Sequence, residues 1–348
     1  MDKSREGWLG RRRLVGFGLA GGVGSVVAAG LVVRNQIRHP HKQKKPTPDG
    51  KPRRLTLAAP GPGRDPVLLV ASDQGIFSRY NLEIHFASDV DSGRRAIDLV
   101  QAGQADAAIA AALSWLPMLQ SGVDAHLICG ITGGNARMLI PRHSPLHRIE
   151  DLHRRVIGIA NPDSPDRLFF SIMMRRKGMD PNHDVEWRSL PEDGLGLALA
   201  EGHVQAIVGH DPGIWRLRES LDLGELASSM SGSYGVRVGR VLGVRSRLLL
   251  DDPNAALALV LAMQDAATWA AKHPEQVSVL LAAQDPDLTL EQAGRMLKSE
   301  GASVHPVGIN LRNQIAQYVD EMKLIGLTPE DVDSAAFAKR VTANVQHG

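Results

Sequence analysis

An apolar, helix-like run that ends at a glycine and passes straight into a short apolar strand occurs twice in this chain, about a hundred residues apart. The first copy is Ala96-Ile97-Asp98-Leu99-Val100-Gln101-Ala102-Gly103-Gln104-Ala105-Asp106-Ala107-Ala108-Ile109, and the second is Leu197-Ala198-Leu199-Ala200-Glu201-Gly202-His203-Val204-Gln205-Ala206-Ile207-Val208. Gly103 and Gly202 stand where a left-handed residue stops a helix, and the small and β-branched residues after them suit a strand buried on both faces. A chain that builds this unit twice is expected to form two α/β lobes. The cleft between two such lobes is a binding device before it is anything else.

The length of 348 residues and the 43% apolar content are enough for two ordinary cores. Aromatic residues make up only 4%, so those cores must be aliphatic, as in parallel sheets covered by Ala- and Leu-rich helices. The small net charge of +2 hides a division: residues 1–54 carry 13 Lys or Arg against 3 Asp or Glu, and the remainder 27 against 35. An acidic body argues against a nucleic-acid partner. Cys129 is the only cysteine. It rules out an intramolecular disulfide, and its place in the apolar run His126-Leu127-Ile128-Cys129-Gly130 points to an inert core thiol.

At the amino terminus, Gly10-Arg11-Arg12-Arg13-Leu14-Val15 precedes an uncharged stretch over residues 14–33 that contains six glycines. A basic segment ahead of a weakly apolar run resembles a twin-arginine export signal, with Ala28, Ala29 and Gly30 offering a cleavage site. Twenty uncharged residues can also span a bilayer as an uncleaved anchor, and both readings stay open. The basic, proline-bearing stretch that follows reads as a linker.

The body opens with a strand at Leu55-Thr56-Leu57-Ala58-Ala59, a turn at Pro60-Gly61-Pro62-Gly63-Arg64-Asp65-Pro66, a helix over residues 66–77 closed at Gly75, and a second strand at Leu82-Glu83-Ile84-His85-Phe86. Loops that leave the carboxyl ends of such strands are where α/β folds place ligands. The succession of Val67-Leu68-Leu69-Val70-Ala71, Gln74-Gly75-Ile76-Phe77, Asn81-Leu82-Glu83-Ile84 and Gly103-Gln104-Ala105-Asp106-Ala107 is similar to solute-binding proteins of ABC importers of the nitrate, sulfonate and taurine type, a family that also includes binders of thiamine's pyrimidine precursors. Ile149-Glu150-Asp151-Leu152 leading into Val156-Ile157-Gly158-Ile159, and a helical region from Pro253 with Trp269 and Pro274, extend the resemblance over residues 54–300. Two departures leave the ligand subclass open: Arg154 stands where the family usually has glycine, and Gln205 where the second repeat usually has aspartate.

The resemblance implies a periplasmic-binding-protein type II fold, with two α/β lobes joined by a two-strand hinge. The expected layout is a signal or anchor over 1–30, a basic linker over 31–53, lobe one over 54–140, lobe two over 141–235, and a return to lobe one with carboxyl-terminal helices over 236–348. The candidate crossings are Ala136-Arg137-Met138-Leu139-Ile140 and Val238-Gly239-Arg240-Val241-Leu242-Gly243-Val244.

Ligand contacts in that architecture come from loops and helix amino termini, whose free N–H groups are donors to an oxyanion. In lobe one the candidates are Gly63, Arg64, Asp65, Ser92, Gly93, Ser114, Trp115, Thr132 and Gly133. In lobe two they are Asn161, Asp163, Ser164, His210 and Asp211. Each competes with a plain structural role: Ser92, Ser114 and Asp163 are good helix caps without any ligand, and Trp115 can stack on a ring or pack the lobe. Arg64 could hold a sulfonate or carboxylate in two bonds. Asp163 and Asp166 oppose that, because carboxylates repel an anion and accept from an amine or an aminopyrimidine.

No Gly-x-Ser-x-Gly elbow, phosphate loop, His-Glu-x-x-His or full dinucleotide glycine pattern occurs. Eukaryotic relatives that make the thiamine pyrimidine use a cysteine-rich iron motif, which a chain with one cysteine lacks. The expectation is therefore an exported, periplasmic, monomeric receptor without cofactor or metal, delivering a small organic solute to a membrane ABC permease. A tethered sensor and an enzyme with His210 as base are the alternatives.

Overall fold

The computed structural model describes residues 52–300 and 305–346. The signal or anchor expected over 1–30, and the linker up to residue 51, lie outside the described residues, as does the side chain of Arg64. Two five-stranded sheets carry the fold. The first contains β1 (Arg53–Ala58), β2 (Leu82–Phe86), β3 (Ala107–Ala111), β4 (Ala125–Gly133) and β10 (Val238–Arg245), in the order β2-β1-β3-β10-β4. The second contains β5 (Ala136–Pro141), β6 (Arg155–Ile159), β7 (Val185–Ser189), β8 (Ala206–His210) and β9 (Leu223–Ser228), in the order β7-β6-β8-β5-β9.

The two orders are one pattern written twice. In each sheet the first strand pairs in parallel with the second and third, while an antiparallel strand separates the third from the last. That antiparallel strand is the one the chain makes on arriving from the other lobe: β5 follows the outward crossing and β10 the return.

Helices α1 (Pro66–Asp73), α2 (Ile76–Arg79), α3 (Gly93–Gln101) and α4 (Ala112–Gln120) follow strands of the first sheet, and α5 (Pro165–Arg176), α6 (Leu195–Ala200) and α7 (Gly213–Ser220) those of the second. The carboxyl-terminal region adds α8 (Ser246–Asp251), α9 (Pro253–Lys272), α10 (Pro274–Gln284), α11 (Leu290–Ser299), α12 (Gly308–Leu324) and α13 (Ser334–Val341). Among the described residues no helix is long and apolar enough to cross a membrane. The single helix expected over residues 66–77 is interrupted, because Gly75 takes φ = 59° and divides α1 from α2.

The two repeats occupy equivalent places, as α3 into β3 and α6 into β8, and the glycines between them have φ of 72° at Gly103 and 75° at Gly202. An L side chain at either would be strained. Equivalence extends to the residue before each strand. Asp106 accepts the Thr56 N–H through Oδ2 at 2.8 Å, and Gln205 accepts the Val156 N–H through Oε1 at 3.0 Å. The departure from aspartate at 205 thus keeps the same strand-edge hydrogen bond. Arg154, the other departure, holds a left-handed backbone at φ = 59°, which is why glycine is the usual occupant of such a turn.

Ala136-Arg137-Met138-Leu139-Ile140, expected to cross between lobes, lies wholly in β5 of the second sheet. The outward crossing is therefore Gly134-Asn135, and lobe one's first stretch ends near residue 133 rather than 140. The return crossing is residues 229–237, because Val238-Gly239-Arg240-Val241-Leu242-Gly243-Val244, the other segment expected to cross, lies wholly in β10 of the first sheet. The chain is tightly packed at and beside the crossings: a Cβ on Gly134 would lie 2.4 Å from Ser229 Oγ, and one on Gly239, at the start of β10, would lie 2.4 Å from the carbonyl oxygen of Gly133, at the end of β4. These glycines are required for close approach, and none of Gly133, Gly134 or Gly239 has positive φ.

Aliphatic cores cover both sheets, as the low aromatic content requires. Leu57, Ile109 and Leu242 are fully buried under α9, whose Leu259, Val260 and Ala262 are also inaccessible. Cys129 lies in the same cluster, and burial pushes its thiol up to about 12, so it stays protonated and unreactive.

Candidate functional site

The carboxyl ends of both sheets face a cleft of about 1140 Å³. Ser92 and Gly93 enter it from the start of α3, where Ser92 Oγ caps Arg95 N at 3.2 Å. Ser114 lines it from the first turn of α4, a helix that opens at Ala111 without a side-chain cap and so leaves backbone donors aimed at the cleft. Thr132 and Gly133 line it beside the crossing. From lobe two come Asn161, Asp163 and Ser164 ahead of α5, then His210 at the end of β8 and Asp211 just after it. Asn161 Oδ1 accepts Asp163 N at 2.8 Å, and Ser164 Oγ caps Arg167 N at 3.2 Å.

Three expected contacts are corrected. Trp115 is fully buried; its indole N–H donates to the Val241 carbonyl at 3.0 Å, and its ring packs where a Cβ on Gly243 would stand. One position further along α4 than Ser114, it is turned about 100° away and packs the lobe. Asp65 is 1% exposed and caps α1 through the N–H groups of Val67 and Leu68, both at 2.9 Å. Gly63 faces Gln284 rather than the cleft; the side chain of Arg64, the remaining candidate of that turn, lies outside the described residues.

The charged groups of the floor are arranged in pairs. Arg137, 2% exposed on β5, donates from Nε and Nη2 to the Asp211 carboxylate at 2.8, 3.0 and 2.8 Å, and from Nη1 to Glu225 at 2.5 Å. Arg240 on β10 reaches the cleft and pairs with Asp65, while its Nη2 is buried without a hydrogen-bond partner among the described residues. His210 Nδ1 lies 2.8 Å from Asp166 Oδ2, on a ring 62% exposed to the cleft. The Asp166 carboxylate holds the imidazolium, with a pKa pushed up to about 9 against the opposing effect of burial. His210 is thus protonated at neutral pH and donates rather than acting as a base. Asp163, Glu192 and Asp193 line the cleft and form no ion pair with another described residue.

Arg137, Arg240 and Glu192 were missed as functional residues by sequence reasoning. The signal for the arginines was present: Arg137 is the only charge in its strand and Arg240 stands in the interior of a strand that is otherwise apolar up to the closing Arg245, places where a cation must find a carboxylate.

A model of the NMT1-like family matches residues 51–282, more than half of the chain. The chain belongs to the NMT1-like family. This NMT1-like chain superposes on the periplasmic aliphatic sulphonate binding protein SsuA from Escherichia coli with a TM-score of 0.70 at 16% identity, covering 84% of this chain and 93% of that one. The periplasmic nitrate-binding protein NrtA from Synechocystis gives a TM-score of 0.64 at 12% identity, over 84% of this chain and 86% of that one. The likeness is one of fold, the periplasmic-binding-protein fold. In sequence, the chain is 25% identical over 235 residues to the bicarbonate transport ATP-binding protein CmpC of Synechocystis, covering 62% of this chain but 35% of that protein. The chain thus spans about a third of the length of that relative.

Proposed function

We propose that the chain is the solute-binding receptor of an ABC importer, capturing a small organic solute between its lobes and passing it to a membrane permease. The two pseudo-equivalent sheets facing one cleft, and relatives whose names specify sulfonate binding, nitrate binding and bicarbonate transport, support the reading. It works as an exported, periplasmic monomer whose mature chain begins near residues 29–31. Amino-terminal sequencing of the exported protein checks this, and an intact Met1 in the membrane fraction would favour a tethered sensor.

The charge pattern of the cleft selects the solute. Among the described residues that line it, His210, Arg216 and Arg240 pair closely with carboxylates and Arg94 stands 4.0 Å from Asp98, whereas Asp163, Glu192 and Asp193 remain without ion-pair partners. Arg240 Nη2 and the uncapped start of α4 supply donors from the lobe-one side. That combination suits a solute with an amine or ring amino group at one end and an acceptor at the other, such as an aminosulfonate or an aminopyrimidine, better than nitrate or a simple sulfonate. Calorimetry with taurine, methanesulfonate and 4-aminopyrimidine tests the choice. An amine-bearing probe should bind, and Asp163→Asn should weaken it by about 1–3 kcal/mol, the range for a hydrogen bond to a charged group. Preferential binding of methanesulfonate, tightened by Asp163→Asn, would restore the anion reading.

A further inference from the structure

Two crossings, Gly134-Asn135 and residues 229–237, join the lobes covalently, and α5 of lobe two is tied to α12 through Arg176–Glu321 at 2.5 Å, but the lobes are also fastened at a further place. Helix α7 belongs to lobe two, and α10 and α11 belong to the carboxyl-terminal region that packs on lobe one. Arg216 on α7 pairs with Asp285, just past α10, at 2.5 Å, and that aspartate is 2% exposed. One turn further along α7, Glu219 pairs with Arg295 of α11 at 2.6 Å. On the same helix, Trp215, 4% exposed, is grouped with Leu288 and Met296 in the apolar cluster of lobe one although α7 is part of lobe two. Its ring is covered by Arg137 and Arg218, whose guanidinium carbons stand 4.9 and 5.0 Å from the ring centroid. At the end of α11, Ser299 Oγ accepts from Arg137 Nη2 at 2.8 Å.

The same helix forms a wall of the cleft. Gln292 and Met296 line it four residues apart, on one face of α11, and Glu300 lines it from just past the end of the helix. A helix with one face on the cleft and its side tied to the opposite lobe cannot stay where it is if the lobes separate. Opening about the two crossings must break Arg216–Asp285 and Glu219–Arg295 and expose Trp215 to water.

We propose that α11 is a strap: it holds α7 across the cleft through pairs made between protein groups alone, completes the site as a third wall, and must release α7 before solute enters. The gating role rests on the receptor reading, whereas the fastening itself does not. Because the only cysteine, Cys129, is buried, spin labels can be directed to introduced cysteines in the full-length protein. Ser72→Cys on α1 and Leu197→Cys on α6 place labels on exposed positions of the two lobes.

Pulsed electron resonance on this pair, without solute, should give one narrow distance distribution. Arg216→Ala/Arg295→Ala should add a longer-distance population. The charge swap Glu219→Arg/Arg295→Glu, made with Glu291→Gln because Glu291 also pairs with Arg295 at 2.6 Å, should keep the short distance, because the pair is rebuilt in reverse. An unchanged distribution in the double alanine variant, or a broad open population already present in the wild type, would overturn the strap; so would a swap that stays open. Taurine and 4-aminopyrimidine are then added in a separate arm. If neither binds, the receptor reading fails while the distances still decide whether α11 fastens the lobes.

Discussion

Replacing Arg137 by methionine should be among the most damaging single changes in the molecule, and the structure sets the size of the effect. The substitution leaves the Asp211 side chain 1% exposed and removes three hydrogen bonds of 2.8–3.0 Å. Removing one partner of a buried ion pair costs about 3–5 kcal/mol, because the remaining charge is uncompensated. Burial already pushes the Asp211 carboxyl up, and losing the guanidinium pushes it further. The orphaned acid can therefore take a proton, and the penalty at pH 5 should be smaller than at pH 7.

Adding Asp211→Asn to Arg137→Met removes the stranded charge and should recover about 2–3 kcal/mol. A residue of about 1–2 kcal/mol should persist, because Glu225, Ser299 and the face of Trp215 lose the same guanidinium. Urea titrations of the wild type, both single variants and the double variant close the cycle. A cost below about 1 kcal/mol for Arg137→Met, or single effects that add within about 0.5 kcal/mol, would refute the reasoning.

Three further outcomes follow from local geometry. His210 should titrate at about 9 by ring-proton NMR, its contribution with Asp166 being complete below pH 6.5 and fading as pH rises through 9; Asp166→Asn should bring the titration back toward 6.5, and an unmoved midpoint would exclude Asp166 as the cause. Glu300 is pushed up to about 8 by burial and by Asp211 and Asp65, so the folded protein retains a proton that the unfolded chain has lost between pH 4.5 and 8. Stability should fall across that window and fall less in Glu300→Gln, so parallel urea-midpoint curves would contradict the assignment. Arg154→Gly should be more stable than Arg154→Ala by about 1 kcal/mol, since only glycine takes φ = 59° without strain; equal denaturation midpoints would show that the turn relaxes.

How far the sequence reached depended on the range of the interaction that decided each feature. The helix–glycine–strand repeats, β2 to the residue, and the Ser92 cap are set within a few positions by chain direction and local hydrogen bonding, and they were legible; the other two expected caps were misplaced, because α5 is capped by Ser164 rather than Asp163, and Ser114 lies inside α4, which opens at Ala111. The place of β5 was not. Ala136-Arg137-Met138-Leu139-Ile140 reads as a buried strand in either lobe, and only its pairing with β8 and β9, some seventy to ninety residues away, assigns it to the second. The site shows the same division. Loops facing the cleft could be named from their place after strands, but Ser114 and Trp115 differ only in helix phase, which the packing of α4 against Gly243 settles.

The positions at which this chain departs from its relatives also separate scaffold from chemistry. Gln205 and Asp106 fill equivalent corners with different side chains and make the same bond to the neighbouring strand, so that position bears on the lobe rather than on the solute. The asymmetry between lobes lies in the cleft loops: lobe one offers the uncapped start of α4 and the unmatched Nη2 of Arg240, while lobe two offers Asp163, Glu192 and the imidazolium of His210. A fold that repeats its sheet can leave both scaffolds nearly fixed and change what it recognises by altering these loops, because none of those side chains is needed to pair a strand. The arginines on β5 and β10 mark the boundary between the two kinds of position. Each is rooted in a strand and spends its charge on an aspartate of a cleft loop, so the loops are held in place by the same strands that follow the crossings.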